Sequence, residues 1–215
     1  MTAPVIKICG LTTLEAVTAV NDIKADMAGF NFVEKSTRYV TPQRAGELVS
    51  ALTPHVQSVA LVLDADDVEL DAIIATVSPD LIQMHGRESP ERVAQTRAKY
   101  SLPVIKALSV ENADDVQKAH LYEGVADWLL FDAKPPKSLA NALPGGNGLV
   151  FDWNLLAGFT STCPWMLSGG LDADNVAEAI RISGATAVDV ASGVESAPGM
   201  KDPRRIKDFA AAARA

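Results

Sequence analysis

The sequence predicts an α/β protein, a parallel sheet closed into a (β/α)8 TIM barrel, on three observations. Short β-rich runs alternate with amphipathic stretches from one end of the chain to the other. Eight such units fit into 215 residues, near the short end of the barrel range of about 200 to 400. The first run enters Cys9-Gly10-Leu11-Thr12, not the Gly-x-Gly-x-x-Gly turn that an open doubly wound sheet would normally carry.

Taken in order, the expected strands are Val5–Cys9, Met27–Val33, Ser58–Asp64, Leu81–His85, Val104–Ser109, Asp127–Asp132, Trp165–Ser168 and Ala187–Ala191. Each is a short apolar or β-branched run between turn signals. The intervening stretches read as helices, as in Leu14–Ile23, where Leu14, Val17 and Val20 form one stripe. Helix starts are expected at Thr13, Thr41-Pro42, Asp66, Ser89-Pro90, Asp172 and Asp202-Pro203. Their side-chain oxygens can accept an orphan N–H, and proline suits a first turn. Residues 133–148, rich in Pro, Gly, Lys and Asn, break the rhythm and read as a lid or binding loop after strand six. Nothing in the composition marks a linker, so a single domain over residues 1–215 is expected.

Composition narrows the function classes. The formal charge is −8 and the pI about 4.9, which disfavours nucleic acid and anionic membranes. No apolar run reaches a membrane span of about 18 to 20 residues, and the first residues do not read as a secretory signal. Two cysteines in unrelated contexts, Cys9 and Cys163, suit reduced thiols in the cytoplasm.

In a barrel, chemistry gathers at the C-terminal ends of the strands, and alternation decides which side chains face the axis. Val5, Lys7 and Cys9 share one face, as do Leu81, Gln83 and His85, and Trp128, Leu130 and Asp132. A lone cysteine in an apolar strand is ordinarily a small buried hydrophobe. Cys9 is set apart by Gly10 after it and by Lys7 on the same face, whose ammonium would favour the thiolate. Asp132 could serve as an acid or cap a turn, and His85 could contact substrate or be a satisfied core imidazole. No His or carboxylate stands at metal-ligand spacing, so no metal is expected. Ser168-Gly169-Gly170 and Ser192-Gly193 close strands seven and eight, where barrel enzymes hold phosphate. Lys7 and Lys106 could form a Schiff base; ion pairing within the barrel, for example with Asp189, is the plainer reading.

These motifs resemble the phosphoribosylanthranilate isomerase family. The resemblance is carried by Lys7-Ile8-Cys9-Gly10-Leu11-Thr12, Gly29-Phe30-Asn31-Phe32, Lys35-Ser36-Thr37-Arg38, Gln83-Met84-His85-Gly86 and Leu130-Phe131-Asp132-Ala133-Lys134. Gly145-Gly146-Asn147-Gly148, Ser168-Gly169-Gly170-Leu171 and Val188-Asp189-Val190-Ala191-Ser192-Gly193-Val194-Glu195 complete it in order. It implies a cofactor-independent Amadori rearrangement in tryptophan biosynthesis, on a small phosphorylated substrate; the oligomeric state is left open between monomer and homodimer. It also implies Cys9 as general base, Asp132 as general acid and Arg38 on the anthranilate carboxylate. His85 and Asp189 become substrate contacts, and Ser168, Gly169, Gly170, Ser192 and Gly193 the phosphate site. Asn31 and Thr37 depart from the family's usual residues. A related sugar-phosphate isomerase of histidine biosynthesis would characteristically carry aspartate where Cys9 stands. Two further functions compete: a Schiff-base aldolase using Lys106 or Lys7, and a non-catalytic barrel that binds a phosphorylated ligand.

Overall fold

The computed structural model describes residues 3–134 and 150–215; most of the expected loop over 133–148 lies outside them. Eight parallel strands close a barrel in chain order: β1 (Val5–Cys9), β2 (Met27–Asn31), β3 (Gln57–Val62), β4 (Leu81–Met84), β5 (Val104–Val110), β6 (Trp128–Ala133), β7 (Trp165–Leu167) and β8 (Ala187–Val190). Every expected strand is present, with ends differing by one or two residues. β8 returns to pair with β1, setting Lys7 opposite Asp189.

The outer layer comprises α1 (Leu14–Asp22), α2 (Pro42–Val49), α3 (Asp67–Val77), α4 (Pro90–Tyr100), α5 (Ala113–Gln117), α6 (Val176–Ser183) and α7 (Pro203–Ala213). Thr13, Thr41, Asp66, Ser89 and Asp202 each accept a first-turn backbone N–H, as their positions predict. Two expectations fail. Leu14 is half exposed, and α1 buries Ala16, Val17, Ala19 and Val20 instead. α6 begins at Val176 rather than at Asp172, because the Asp172 carboxylate accepts the N–H groups of Asp174 and Asn175 and holds a turn there. Before β7 the described chain forms only a 3-10 turn, Trp153–Leu156.

Strand alternation sorts two cores. Ile6, Ile8, Phe30, Val62, Ile82 and Phe131 pack outward against the helices. Met27, Val59, Leu81, Ile105, Leu130 and Met166 fill the barrel interior. Each such side chain contributes roughly 1.5–3 kcal/mol when fully buried. The interior cluster is apolar at its base, whereas Lys7, Cys9, Gln83, His85, Asp132, Ser168 and Asp189 are buried toward the strands' C-terminal ends. After β8 a small antiparallel hairpin, β9 (Glu195–Ala197) and β10 (Met200–Lys201), covers part of that end. No helix among the described residues is long and apolar enough to cross a membrane.

Candidate active site

Cys9 ends β1, facing the axis at 4% exposure. Its neighbour across the ladder is Gly29, where a Cβ would come within 2.8 Å of the sulfur. Burial pushes the thiol above its ordinary value; Lys7 opposes that shift and Asp189 reinforces it. The Lys7 ammonium, fully enclosed, donates to Asp189 Oδ1 at 2.7 Å. The ion pair anticipated for a barrel lysine is therefore present, but it also spends part of the positive field expected to favour the thiolate. Ser168 Oγ donates to the other oxygen of Asp189 at 3.2 Å, so its hydroxyl is turned into the barrel.

Asp132 ends the interior face of β6, three places round the ring from β1. Ala133 N–H donates to its Oδ1 at 2.9 Å, and Oδ2 lies 3.3 Å from His85 Nε2. That approach falls outside hydrogen-bond geometry, and Nε2 is buried without a hydrogen-bond partner. The other ring nitrogen, Nδ1, lies 2.8 Å from the Gln83 amide nitrogen. Gln83 Oε1 is also buried without a partner. Buried polar atoms left unsatisfied carry a folding penalty, which fits groups held for a ligand.

Arg38 reaches the same end from the loop after β2. Its Nε and one terminal nitrogen fork onto Glu195 at 2.7 and 2.9 Å, a bidentate pairing suited to a guanidinium. Lys201 donates to Glu195 Oε1 at 2.8 Å and to Ala191 O at 2.9 Å. Burial pushes Glu195 upward, but Arg38 and Lys201 together hold it below the ordinary carboxylate range. Sequence reasoning singled out Arg38, which stands at the mouth, and missed both partners. Lys201 stands on a two-residue strand, too short for any periodicity to announce it.

The loops after β7 and β8 meet backbone to backbone. A Cβ on Gly193 would overlap the Leu171 carbonyl. Gly169 and Gly170 have φ of +87° and +62°, a region L-residues adopt at a cost. Together with the turn at Ser192–Val194, they form a close-set, glycine-lined wall of the kind that receives an anion on backbone N–H groups. The α6 terminus lies further along than expected. Lys106 does not face the interior: it points to the helix layer and pairs with Glu88 at 2.7 Å, which removes it from Schiff-base chemistry at the mouth. Two described surface cavities, one between α4 and the starts of β5 and β6 and one beside α3 near Tyr39 and Glu69, do not include these residues.

Fold and site define a class: a (β/α)8-barrel enzyme with a buried thiol and a buried carboxylate at the C-terminal mouth. The family model described as N-(5'phosphoribosyl)anthranilate (PRA) isomerase matches residues 6–212. The chain is 51% identical to the N-(5'-phosphoribosyl)anthranilate isomerase of Parvibaculum lavamentivorans, over 97% of both chains. To that of Rhodospirillum rubrum it is also 51% identical, over 100% of this chain and 99% of the relative. The crystal structure of phosphoribosyl anthranilate isomerase from Thermotoga maritima superposes with a TM-score of 0.84 at 34% identity, over 97% of each chain. A phosphoribosyl anthranilate isomerase in complex with reduced 1-(o-carboxyphenylamino)-1-deoxyribulose 5-phosphate gives a TM-score of 0.81 at 32% identity, over 97% of each. The chain belongs to the N-(5'-phosphoribosyl)anthranilate isomerase family.

Proposed function

We propose that Cys9 and Asp132 divide the proton transfers of one reaction, the isomerisation of N-(5'-phosphoribosyl)anthranilate. The reaction is an intramolecular aldose–ketose conversion of tryptophan biosynthesis, an Amadori rearrangement giving 1-(2-carboxyphenylamino)-1-deoxyribulose 5-phosphate. The observation that supports the division of labour best is the burial of both groups on interior faces at the ends of β1 and β6. From there, acid and base can address different atoms of one sugar.

The Asp132 carboxylic acid protonates the ribose ring oxygen while the anthranilate nitrogen lone pair forms C=N, and the C1'–O bond breaks. The Cys9 thiolate then removes the C2' proton, and the electron pair moves to C1'=C2', neutralising the iminium. The enolamine then tautomerises: C1' gains a proton while the C2' hydroxyl gives its own up to a base or to water, which yields the ketone at C2'. Placed general acids and bases contribute about 10²–10⁴-fold each. His85, 3.3 Å from Asp132, would contact the acid end and the sugar hydroxyls. Asp189 holds Lys7 beneath the thiol. Arg38, oriented by Glu195, would meet the anthranilate carboxylate. Gly169, Gly170, Ser192 and Gly193 would cradle the phosphate by backbone N–H groups, with Ser168 anchoring the start of the first loop through Asp189.

The same reading takes residues 1–215 as one domain. It places the chain in the cytoplasm, which its two free, buried cysteines suit. A dimeric phosphoribosylanthranilate isomerase is known from Thermotoga maritima, and we take this chain as monomer or homodimer.

The test generates the labile substrate in the cuvette from anthranilate and phosphoribosyl pyrophosphate with the preceding transferase, then adds the purified chain. Accelerated loss of substrate fluorescence that disappears in Cys9→Ala and Asp132→Asn supports the assignment. Folded variants that keep wild-type rates would remove it.

A further inference from the structure

The residue on β5 that faces the helix layer between Ile105 and Ala107 is a lysine at 1% exposure, at a position where an apolar side chain would pack at lower cost. Lys106 Nζ donates to Met84 O at 3.3 Å, Gly86 O at 2.7 Å and Glu88 Oε2 at 2.7 Å. Glu88 completes the clamp: its Oε1 accepts the N–H of Asp64 at 2.9 Å and of Gly86 at 3.1 Å. One ion pair thus grips both peptide groups of Gly86 and the carbonyl of Met84, the two chain neighbours of His85. It also ties in Asp64, two residues beyond β3. Tyr122 OH donates to the Glu88 carbonyl at 2.9 Å from outside.

Buried ion pairs seldom stabilise a fold more than a well-packed apolar pair of the same volume, and their best-attested use is to specify one local arrangement. The arrangement specified here is that of His85. Its backbone N–H continues the β4 ladder to Val62 O at 2.9 Å, and its ring reaches Asp132 at 3.3 Å.

We propose that Lys106 and Glu88 are positioning residues that act through His85, fixing its imidazole against Asp132 for the isomerisation. The inference rests on the reading of His85 as a contact of the acid end. Neither residue touches the reacting atoms; both lie on the helix side of the sheet.

The test replaces the pair together, Lys106→Met with Glu88→Leu, so that no buried charge is left alone. Circular dichroism and melting establish the fold. A folded double variant is expected to lose about tenfold or more in kcat, as for a reacting group misplaced by about an ångström, with KM changed far less. In a His85→Asn background the same pair of changes should cost little more. The 15N shifts of the His85 ring, read without substrate, should move in the double variant. Unchanged ring shifts and kcat in a folded double variant would overturn the proposal, as would a full, additive loss in the His85→Asn background. If His85→Asn alone leaves kcat intact, the role of His85 is wrong, and the ring shifts still decide whether the clamp positions it. A double variant that does not fold is replaced by Glu88→Gln, which keeps the side chain's size and whose amide oxygen can still accept the N–H groups of Asp64 and Gly86, while its NH2 group removes the acceptor of Lys106. Unmoved ring shifts in that folded variant count against the proposal, and moved ones for it.

Discussion

Cys9 and Gly29 face each other across the first two strands, and the thiol occupies the space that any side chain at position 29 would fill. The sulfur is therefore placed by its neighbour as much as by its own strand. Gly29→Ala is expected to displace it and lower kcat by about tenfold or more, with little change in KM. Steady-state kinetics on a variant with native melting check this; an unchanged kcat would mean that the sulfur's position is unimportant.

The thiol's environment has a working sign. Burial holds Cys9 up, and Lys7 is the largest opposing influence. If the thiolate is the base, log kcat/KM rises with pH through the thiol's titration. Lys7→Met removes the opposing charge and leaves Asp189 unpaired beside the sulfur, so the rise should move to higher pH. The unpaired carboxylate should also cost about 3–5 kcal/mol of stability. A pH–rate profile that does not move would separate Lys7 from the base.

At the proposed phosphate wall, Gly193 abuts the Leu171 carbonyl. Gly193→Ala must push the two loops apart, at roughly 1–3 kcal/mol. The expected result is a raised KM and weakened inhibition by inorganic phosphate, with kcat at saturation less affected. Phosphate inhibition equal to wild type would place the anion elsewhere.

Acid should remove stability through two buried, paired glutamates, one at the mouth and one on the helix side of the sheet. Burial raises Glu195 and Glu88, but Arg38 with Lys201, and Lys106, respectively, outweigh it and hold both below the ordinary glutamate value of 4.5. A depressed carboxylate contributes stability that is present above its unfolded value and lost as pH falls through its folded one. Melting temperature should consequently fall as pH drops below about 4.5. Glu195→Gln should flatten part of that decline while lowering stability at neutral pH. Parallel curves for variant and wild type would assign the acid sensitivity to different carboxylates.

The strands were legible because each is a short run of apolar residues between strong turn signals, and their alternation placed Cys9, His85 and Asp132 on the interior face. Long-range partners were not legible. Glu195 meets Arg38 across 157 positions, and no local pattern encodes that meeting. Lys106 shows the cost of reading a strand lysine without its parity: one residue either way would have faced the axis. Asp172 misled for a different reason, since the side chain that caps a helix also closes a turn. Leu14 fits a helical stripe, yet lies at the helix's first position, beyond the reach of the sheet that buries Val17 and Val20.

The Lys7–Asp189 pair spans 182 positions, and the ring of strands closes only where β8 meets β1. On the ribosome, the first strand therefore emerges carrying a lysine destined for the interior long before its counter-ion exists. Until the eighth strand is made, that charge must remain in water and the barrel open. A chain halted before position 189 should accordingly yield no graded fraction of activity, since the carboxylate that lets Lys7 enter the interior has not yet been added.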